Sequence, residues 1–257
     1  MNLKSKLVLA LLATSSAAFA QTAPAAAAPE VTYNVGVVSQ YRYRGIAQTK
    51  GDPALQGGVD YANANGFYLG AWGSTIKWIK DAKVDGGKEA KGPVELDLYG
   101  GYKFEAAGIA YDVGYLRYEY VGNSYKDASS ANVNANTDEV YGAATYGPAT
   151  LKYSYALSDL FGTSNSKGST YWDLSATFDL GNGYSLVPHV GRQMVKNASG
   201  YSYNDIALTL NKDLGDGLTA SVAAITTNGN STNFKGLYTS GYDTSKSTLV
   251  VGVKYSF

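Results

Sequence analysis

The sequence predicts an all-β fold, a transmembrane antiparallel up-and-down β-barrel of about twelve strands with short turns at one end and long loops at the other. Three observations predict it. Segments of roughly ten residues alternate apolar and polar side chains, as strands between lipid and water do. The connections between these segments are alternately short and long. The last segment ends the chain on an aromatic residue, and a strand in a membrane needs hydrogen-bonded partners on both edges, which a closed barrel supplies.

The composition agrees with a barrel and excludes several kinds of site. The 257 residues are 16% charged and include 23 tyrosines and 30 glycines. Tyrosine is common at membrane interfaces, and glycine is common in turns and curved sheets. The chain has no cysteine, so disulfides, thiol nucleophiles and cysteine-based metal sites are excluded. Its formal net charge of zero gives no indication of nucleic-acid binding.

The first residues have the pattern of an export signal. Two lysines precede the apolar run of residues 7–13, and an Ala-Phe-Ala sequence ending at Ala20 is typical of a signal-peptidase site. No apolar run is long enough to cross a bilayer as a helix. We therefore expect a signal peptide at residues 1–20, a disordered periplasmic lead-in at residues 21–30, and a single outer-membrane barrel domain at residues 31–257.

The strands are placed in order by the turns between them. Short Asn-Ala-Asn-Gly, Glu-Ala-Ala-Gly, Gly-Pro, Gly-Asn-Gly and Asp-Leu-Gly-Asp-Gly links join pairs of alternating segments, and long polar stretches separate the pairs. The long stretches are residues 77–92, 122–137, 158–169, 196–202 and 228–246. The predicted strands are residues 31–44, 55–61, 67–76, 94–104, 109–120, 140–146, 151–157, 172–178, 184–193, 205–212, 218–227 and 248–257.

Alternation gives most strands one outward, lipid-facing side. The first predicted strand places Arg42 and Arg44 inward, opposite an outward row of Tyr33, Val35, Val37, Tyr41 and Tyr43. The same period assigns to the outward side of later strands Leu55, Val59, Val94, Leu98, Phe104, Trp172, Leu174, Phe178, Leu249, Val251 and Val253.

Three features depart from simple alternation. Residues 67–76 have large apolar side chains on both parities, so their facing is not predicted. Arg117 and Arg192 have the outward parity, but each lies late in an upward strand, where a charge at the outer rim costs little. Pro188 lies in a strand with two neighbours and has no N–H, so it predicts a bulge that could reverse the facing.

Two segments resemble known outer-membrane proteins. The sequences Y-N-V-G-V-V-S-Q-Y-R-Y-R-G-I-A-Q-T, P-A-L-Q-G-G-V-D-Y and G-F-Y-L-G-A-W-G-S, within residues 31–74, resemble the opening of the TorF family of proteobacterial porins. Gly252, Tyr255 and Phe257 resemble the C-terminal assembly signal of Gram-negative outer-membrane barrels. The resemblance implies a barrel with channel activity, surrounded by outer-membrane lipid and lipopolysaccharide and inserted by the barrel-assembly machinery. It implies no catalytic motif and no particular solute.

Charged residues on the inward parity are the candidate pore lining. Charges are costly in an apolar core, so they indicate either a water-filled lumen or ion pairs across it. One interpretation sets Arg42 and Arg44 against Glu95 and Asp97 as a field across a narrow pore; the other is a static plug of ion pairs. The predicted pore-lining residues are Arg42, Arg44, Asp60, Glu95, Asp97, Lys103, Glu139, Lys152, Asp173, His189, Asp205 and Lys254.

The sequence favours a channel over an enzyme. His189 is the single histidine, so a Ser-His-acid hydrolase would have to use it, and His-Val-Gly-Arg does not match the His-x-Ser pattern of barrel hydrolases. We expect no catalytic residue, metal or cofactor. The predicted function is a porin that passes small hydrophilic solutes through a narrow charged lumen. The alternatives are a structural or adhesion barrel, a barrel hydrolase and a soluble periplasmic β-protein, and the oligomeric state is open.

Overall fold

The computed structural model of the chain describes residues 29–83 and 90–257. The predicted signal peptide, most of the predicted lead-in and residues 84–89 of one predicted loop lie outside these ranges. The strands are β1 (Glu30–Val38), β2 (Arg42–Tyr43), β3 (Ile46–Ala47), β4 (Ala54–Ala62), β5 (Phe67–Thr75), β6 (Val94–Ala106), β7 (Ile109–Tyr120), β8 (Thr137–Tyr146), β9 (Ala149–Ala156), β10 (Thr170–Ala176), β11 (Phe178–Gly181), β12 (Tyr184–Met194), β13 (Tyr203–Gly215), β14 (Leu218–Thr227) and β15 (Thr248–Ser256).

Twelve strand positions form one closed antiparallel barrel. β10 and β11 are two parts of one strand, since both pair with β12. The ring closes where β1 pairs with β4 on one edge and with β15 on the other. The predicted twelve-strand barrel, with short turns at one end and long loops at the other, is confirmed.

Among the described residues, two short helices lie in the long loops. They are α1 (Tyr125–Ala128) and α2 (Ser231–Gly236), and a single 3₁₀ turn spans Ser199–Tyr201. Within residues 29–83 and 90–257, no helix has the length and hydrophobicity needed to cross a bilayer.

Apolar side chains cover the outside of the barrel. In β13, Ile206 and Leu208 are about half exposed, whereas Asp205 and Ala207 are buried. The same alternation assigns the facing of β5, which the sequence left open: Phe67 and other odd-numbered residues point outward. Aromatic rings stack on the outside near the short turns, as they do at membrane interfaces. The stacked rings are Tyr33, Tyr255 and Phe257, and also Tyr102, Phe104 and Tyr111, with Phe67 tilted against Tyr102.

The two outward arginines have polar partners. Arg117 forms ion pairs with Glu119 at 2.7 Å and with Asp138 at 3.0 Å. Arg192 donates a hydrogen bond to Oδ1 of Asn204 at 3.1 Å. Both arginines lie in the part of their strand next to the long loops.

The predicted bulge at Pro188 is wrong. Pro188 pairs with Leu208 of β13, and the strand keeps one facing on both sides, with His189 buried and Val190 exposed. On the opposite edge of β12, pairing with the neighbouring strand is interrupted between the end of β10 and the start of β11. A proline removes one N–H donor without adding a residue, so the register and the facing continue past it.

The predicted first strand is wrong in its second half. β1 ends before residues 39–53, and the buried middle of this segment, residues 40–49, turns into the barrel interior, where β2 and β3 form a separate hairpin. Arg44 and Gly45 both have positive φ, 45° and 78°, as a two-residue type I′ turn requires. Tyr41 and Tyr43, expected to face lipid, are buried. Because a hairpin has the same two-residue period as the barrel wall, alternation does not mark where the chain leaves the wall. Residues 39–53 are called the lumen hairpin.

Candidate functional site: the lumen hairpin and its wall

The inner face of the wall carries most of the predicted pore-lining residues. Arg42 and Arg44 belong to the lumen hairpin instead of the wall. Whether any of these residues lines a conducting pore stays a prediction. The inward wall residues are Asp60, Glu95, Asp97, Lys103, Glu139, Lys152, Asp173, His189, Asp205 and Lys254.

Arg44 fastens the turn of the lumen hairpin to the wall. Its Nη1 and Nη2 donate to Oε1 and Oε2 of Glu139 on β8 at 3.0 and 2.7 Å, and Nη1 donates to Oε1 of Gln193 on β12 at 2.9 Å. The guanidinium carbon lies 4.3 Å from the ring centroid of Tyr171 on β10. The side chains of Arg44 and Glu139 are only 1% and 3% exposed. A buried bidentate pair of this kind is strong, and removing one partner is costly.

Two tyrosines of the lumen hairpin extend the contact to further strands. The hydroxyl of Tyr41 donates to Oε1 of Glu95 on β6 at 3.0 Å. The hydroxyls of Tyr43 and Tyr118, on β7, share a hydrogen bond, and Tyr118 also hydrogen-bonds to Oε2 of Glu139 at 3.1 Å. Together with Arg44, these residues reach β6, β7, β8, β10 and β12, so the hairpin crosses the lumen.

Arg42 joins the lumen hairpin to the loop of residues 228–247. Its Nη1 donates to the carbonyl oxygens of Gly45 at 3.0 Å and Thr244 at 2.8 Å. The backbone N–H of Ala47 donates to the same Thr244 oxygen at 2.9 Å. Burial lowers the pKa of the Arg42 guanidinium, and nearby acidic groups of that loop act in the opposite direction. Arginine remains protonated in proteins, so the hairpin holds a second buried cation.

The expected field between the two arginines and Glu95 with Asp97 is not the arrangement found. Arg44 pairs with Glu139, and Arg42 binds backbone carbonyls, because the position of both arginines is set by the hairpin turn and not by a wall strand. Oε2 of Glu95, Oδ1 of Asp97 and Nε of Arg44 are buried without a hydrogen-bond partner among the described residues.

His189 lies between two carboxylates on the neighbouring strands. Its Nδ1 is 3.3 Å from Oδ1 of Asp173 on β10, and its Nε2 is 2.8 Å from Oδ2 of Asp205 on β13. The hydroxyl of Tyr171 donates to Asp205 at 3.0 Å. Each ring nitrogen thus lies against a carboxylate, and the hydroxyl of Tyr171 is also 3.1 Å from Nε2, so neither nitrogen is left open toward a nucleophile. Ser175 pairs with His189 across the ladder, but the contacts of the ring weigh against the hydrolase alternative.

Tyrosines and charges line the lumen toward the short turns. The hydroxyl of Tyr99 donates to Oδ1 of Asp60 at 2.5 Å, and that of Tyr68 donates to Oδ1 of Asp112 at 2.6 Å. Nζ of Lys103 lies 4.9 Å from the ring centroid of Tyr68. These contacts hold tyrosine rings against the wall and leave charged groups around the lumen.

Water reaches only part of the lumen. Every residue from Gln40 to Thr49 is buried, and so are Glu95, Glu139 and Asp205 of the surrounding wall. An open passage at this level would expose both the hairpin and the wall. Nearer the short turns the inward side chains of Asp60, Tyr99, Lys103 and Lys254 are partly exposed. The lumen therefore opens toward the short-turn end and is closed at the lumen hairpin.

Several important contacts involve residues that the sequence analysis did not select. Gln193, Tyr118 and Tyr171 hold Arg44 or its partner, and Asp112 accepts the hydrogen bond from Tyr68. All four have the inward parity of their strands, so alternation could have found them. Selection by charge alone omits Gln193, Tyr118 and Tyr171, although buried polar groups need such partners. Asp112 carries a carboxylate at an inward position of β7 and could have been selected on both grounds.

Comparisons with known proteins describe the same architecture. Residues 22–257 match the model of a family described as a bacterial protein of unknown function, Gcw_chp. The NanC porin structure has a TM-score of 0.53 and 11% identity, covering 88% of this chain and 99% of that chain. A KdgM porin in complex with disordered oligogalacturonate has a TM-score of 0.51 and 10% identity, covering 88% and 98%. At these identities the likeness extends to the fold alone. No curated protein matches the sequence.

Proposed function

The chain belongs to the Gcw_chp family, and we propose that this member is an outer-membrane porin that passes small hydrophilic solutes. The observation that carries the proposal is the reversal of polarity across one wall. Outward residues such as Leu208 and Val251 are apolar and exposed, whereas inward residues such as Glu95 and Lys152 are charged. A closed barrel with this polarity fits a bilayer around it and a polar path within it.

The proposal also covers the porin family to which the chain belongs and the membrane in which it lies. We place the chain in the TorF family of porins, which its residues 31–74 resemble, and in the outer membrane of a Gram-negative bacterium after removal of residues 1–20. Stacked rings of Tyr33, Tyr255 and Phe257 at the short-turn end suit the level of the lipid head groups. The proposed partners are outer-membrane lipid, lipopolysaccharide, the barrel-assembly machinery and the solute.

A channel accounts for the inner wall better than catalysis does. The ring of His189 is occupied by Asp173 and Asp205, and the other inward charges are spread over many strands instead of converging on one reacting atom. The similar folds of the NanC and KdgM porins support the same reading by analogy.

Fractionation tests the location. The full-length protein, expressed in a Gram-negative host, is expected in the outer-membrane fraction and in a form that migrates differently on gels before and after heating. Recovery in the aqueous periplasmic fraction would support the soluble β-protein instead.

Conductance in a planar bilayer tests the channel. The refolded protein without residues 1–20 is measured beside Arg44→Gln, which removes the charge that fastens the lumen hairpin. Discrete conductance steps in either protein support a porin. Silence from both, with folding and insertion shown by protease protection, would contradict it.

The burial of the lumen hairpin favours one other candidate, a structural or adhesion barrel without an open pore. Such a protein would lose its function when the loops at residues 77–92 and 228–246 are shortened, and it would stay silent in a bilayer. The Arg44→Gln measurement separates the two candidates, because a purely structural barrel does not gain conductance steps.

A further inference from the structure

The charges of the lumen are divided unequally between the wall and the lumen hairpin. Among the described residues, the inner face of the wall buries six carboxylates, with Lys152 and His189 as its buried bases. Between Gln40 and Thr49, the buried part of the hairpin brings two arginines and no acid. The carboxylates are Glu95, Asp97, Asp112, Glu139, Asp173 and Asp205.

The hairpin is held by polar contacts and by the packing of Tyr41 against Trp72 and of Tyr43 against Tyr118 and Phe161. Its turn is fixed by the Arg44–Glu139 ion pair and by Gln193, and its other side is fixed to Thr244 through Arg42. Its strands pair only with each other and not with the barrel ladder. Near its ends the hairpin is tied to neighbouring segments, because the N–H of Ser39 donates to the carbonyl oxygen of Val251 on β15 and the carbonyl oxygen of Gln48 accepts from the N–H groups of Lys77 and Trp78. Withdrawing residues 40–49 therefore leaves the backbone hydrogen bonds between the barrel strands intact, but it must release Gln48 from the segment after β5 and Arg42 from the loop of residues 228–247.

Resting on the proposed porin function, we propose that the lumen hairpin is a gate and that the pore it uncovers selects small cationic solutes. Withdrawal removes Arg42 and Arg44 from the lumen and lets water reach the carboxylates of the wall. Oε2 of Glu95 and Oδ1 of Asp97, which have no hydrogen-bond partner among the described residues, then face the water-filled path. Rings of carboxylates concentrate cations in a pore and repel anions.

This assignment reverses the selectivity expected of arginines fixed in the pore wall. If Arg42 and Arg44 stayed in an open lumen, their charge would favour anions, and replacing them would shift selectivity toward cations. If the hairpin leaves the lumen on opening, the open pore is cation-selective even when both arginines are present. The ion selectivity of the open wild-type pore therefore distinguishes a gate that leaves the lumen from arginines that stay in it.

The first experiment measures single channels in a planar bilayer under a KCl gradient. Arg44→Gln is expected to raise the open probability at least about tenfold, since it leaves Glu139 buried without its partner. Arg117→Gln, which removes an arginine from the outer rim, is the matched control and leaves the open probability unchanged. Openings of both wild type and Arg44→Gln are expected to pass K⁺ in preference to Cl⁻.

Glu95→Gln/Asp97→Asn in the Arg44→Gln background tests the source of the selectivity. The double change is expected to lower the preference for K⁺ without lowering the open probability. Asp60→Asn, on the same inner face but nearer the short turns, is the control with a smaller effect. A preference for Cl⁻ in the open wild-type pore would overturn the assignment of cationic solutes.

A reversible disulfide tests the gate independently of the charge of Arg44. A Cβ built on Gly45 lies 2.6 Å from Cγ2 of Thr227, and the chain has no cysteine, so Gly45→Cys/Thr227→Cys is expected to form one defined disulfide between hairpin and wall. Oxidised protein should stay closed and should open again after reduction. Equal conductance of wild type, Arg44→Gln and both forms of the locked protein would overturn the gate and leave the porin standing. Silence of all four folded proteins would overturn the porin proposal itself.

Discussion

At the scale of single residues, inward tyrosine rings lie directly on glycines of the neighbouring strand. A Cβ on Gly70 would fall 2.2 Å from the ring of Tyr99, and one on Gly114 would fall 2.5 Å from the hydroxyl of Tyr141. The rings thus take the space that a side chain would fill, and their hydroxyls reach lumen carboxylates such as Asp60. Glycine on the inner face is a packing requirement of this wall.

Gly70→Ala is predicted to destabilise the barrel by about 1–3 kcal/mol, as overpacking does. The new methyl group displaces Tyr99 from its place beside Asp60. Gly142→Ala, at an outward position with no atom within 4 Å of the added Cβ, is the matched control and should change the free energy of unfolding little. Urea unfolding in detergent measures both; equal stability of the two variants would contradict this packing.

Adjacent acids on β8 allow a second residue-scale prediction. Glu139 faces inward to Arg44, and Asp138 faces outward to Arg117. Glu139→Gln is expected to speed amide hydrogen exchange in the lumen hairpin at least about tenfold, because a buried arginine loses its charged partner. Asp138→Asn removes the partly exposed ion pair with Arg117, and such pairs contribute little to stability. This variant should therefore leave amide exchange in the lumen hairpin unchanged. Slow exchange in both variants would mean that packing alone holds the hairpin.

At the scale of elements, the closing strand β15 joins the two ends of the barrel. It pairs with β1 and β14, and Phe257 stacks on Tyr33 at 5.7 Å and on Tyr255 at 5.4 Å between ring centroids. The proposed assembly signal of Gly252, Tyr255 and Phe257 therefore coincides with the seam where the ring closes.

Phe257→Ser is predicted to lower the yield of assembled barrel in the outer membrane sharply. Leu249→Ser removes an equally exposed outward side chain from the other end of the same strand and serves as the control for lost hydrophobic area. Heat-modifiable migration of the membrane fraction measures the yield. Normal assembly of Phe257→Ser would argue against a role for the terminal residue as a signal.

At the scale of the whole molecule, the outward face defines where a bilayer would lie. The outward residues of β13 run from Asn204 through Ile206, Leu208 and Leu210 to Lys212. Polar residues thus bound an apolar band whose centre is near Leu208, as the hydrocarbon layer requires.

Leu208→Arg is predicted to destabilise the folded barrel in lipid vesicles by about 2–4 kcal/mol, whereas Met194→Arg, near the loop end of β12, should cost about 0–1 kcal/mol. The difference arises because a charge at the midplane loses its hydration while a charge at the rim keeps it. Guanidinium titration of vesicle-inserted protein measures both. An equal loss of unfolding free energy in the two variants would mean that the bilayer does not surround this apolar band.

The sequence by itself determined the wall: the number and order of the strands, the alternation of short and long connections, and the inward position of charges such as Glu139 and His189. These properties are local, because a two-residue period and a turn are encoded within a few neighbouring residues. Tertiary structure decided the position of the lumen hairpin, the uninterrupted facing at Pro188 and the partner of each charge. Arg44 and Glu139 are separated by 95 residues, so their pairing depends on closing the barrel and turning the hairpin inward. Alternation is the same for a strand in the wall and a strand inside it, and only packing distinguishes the two.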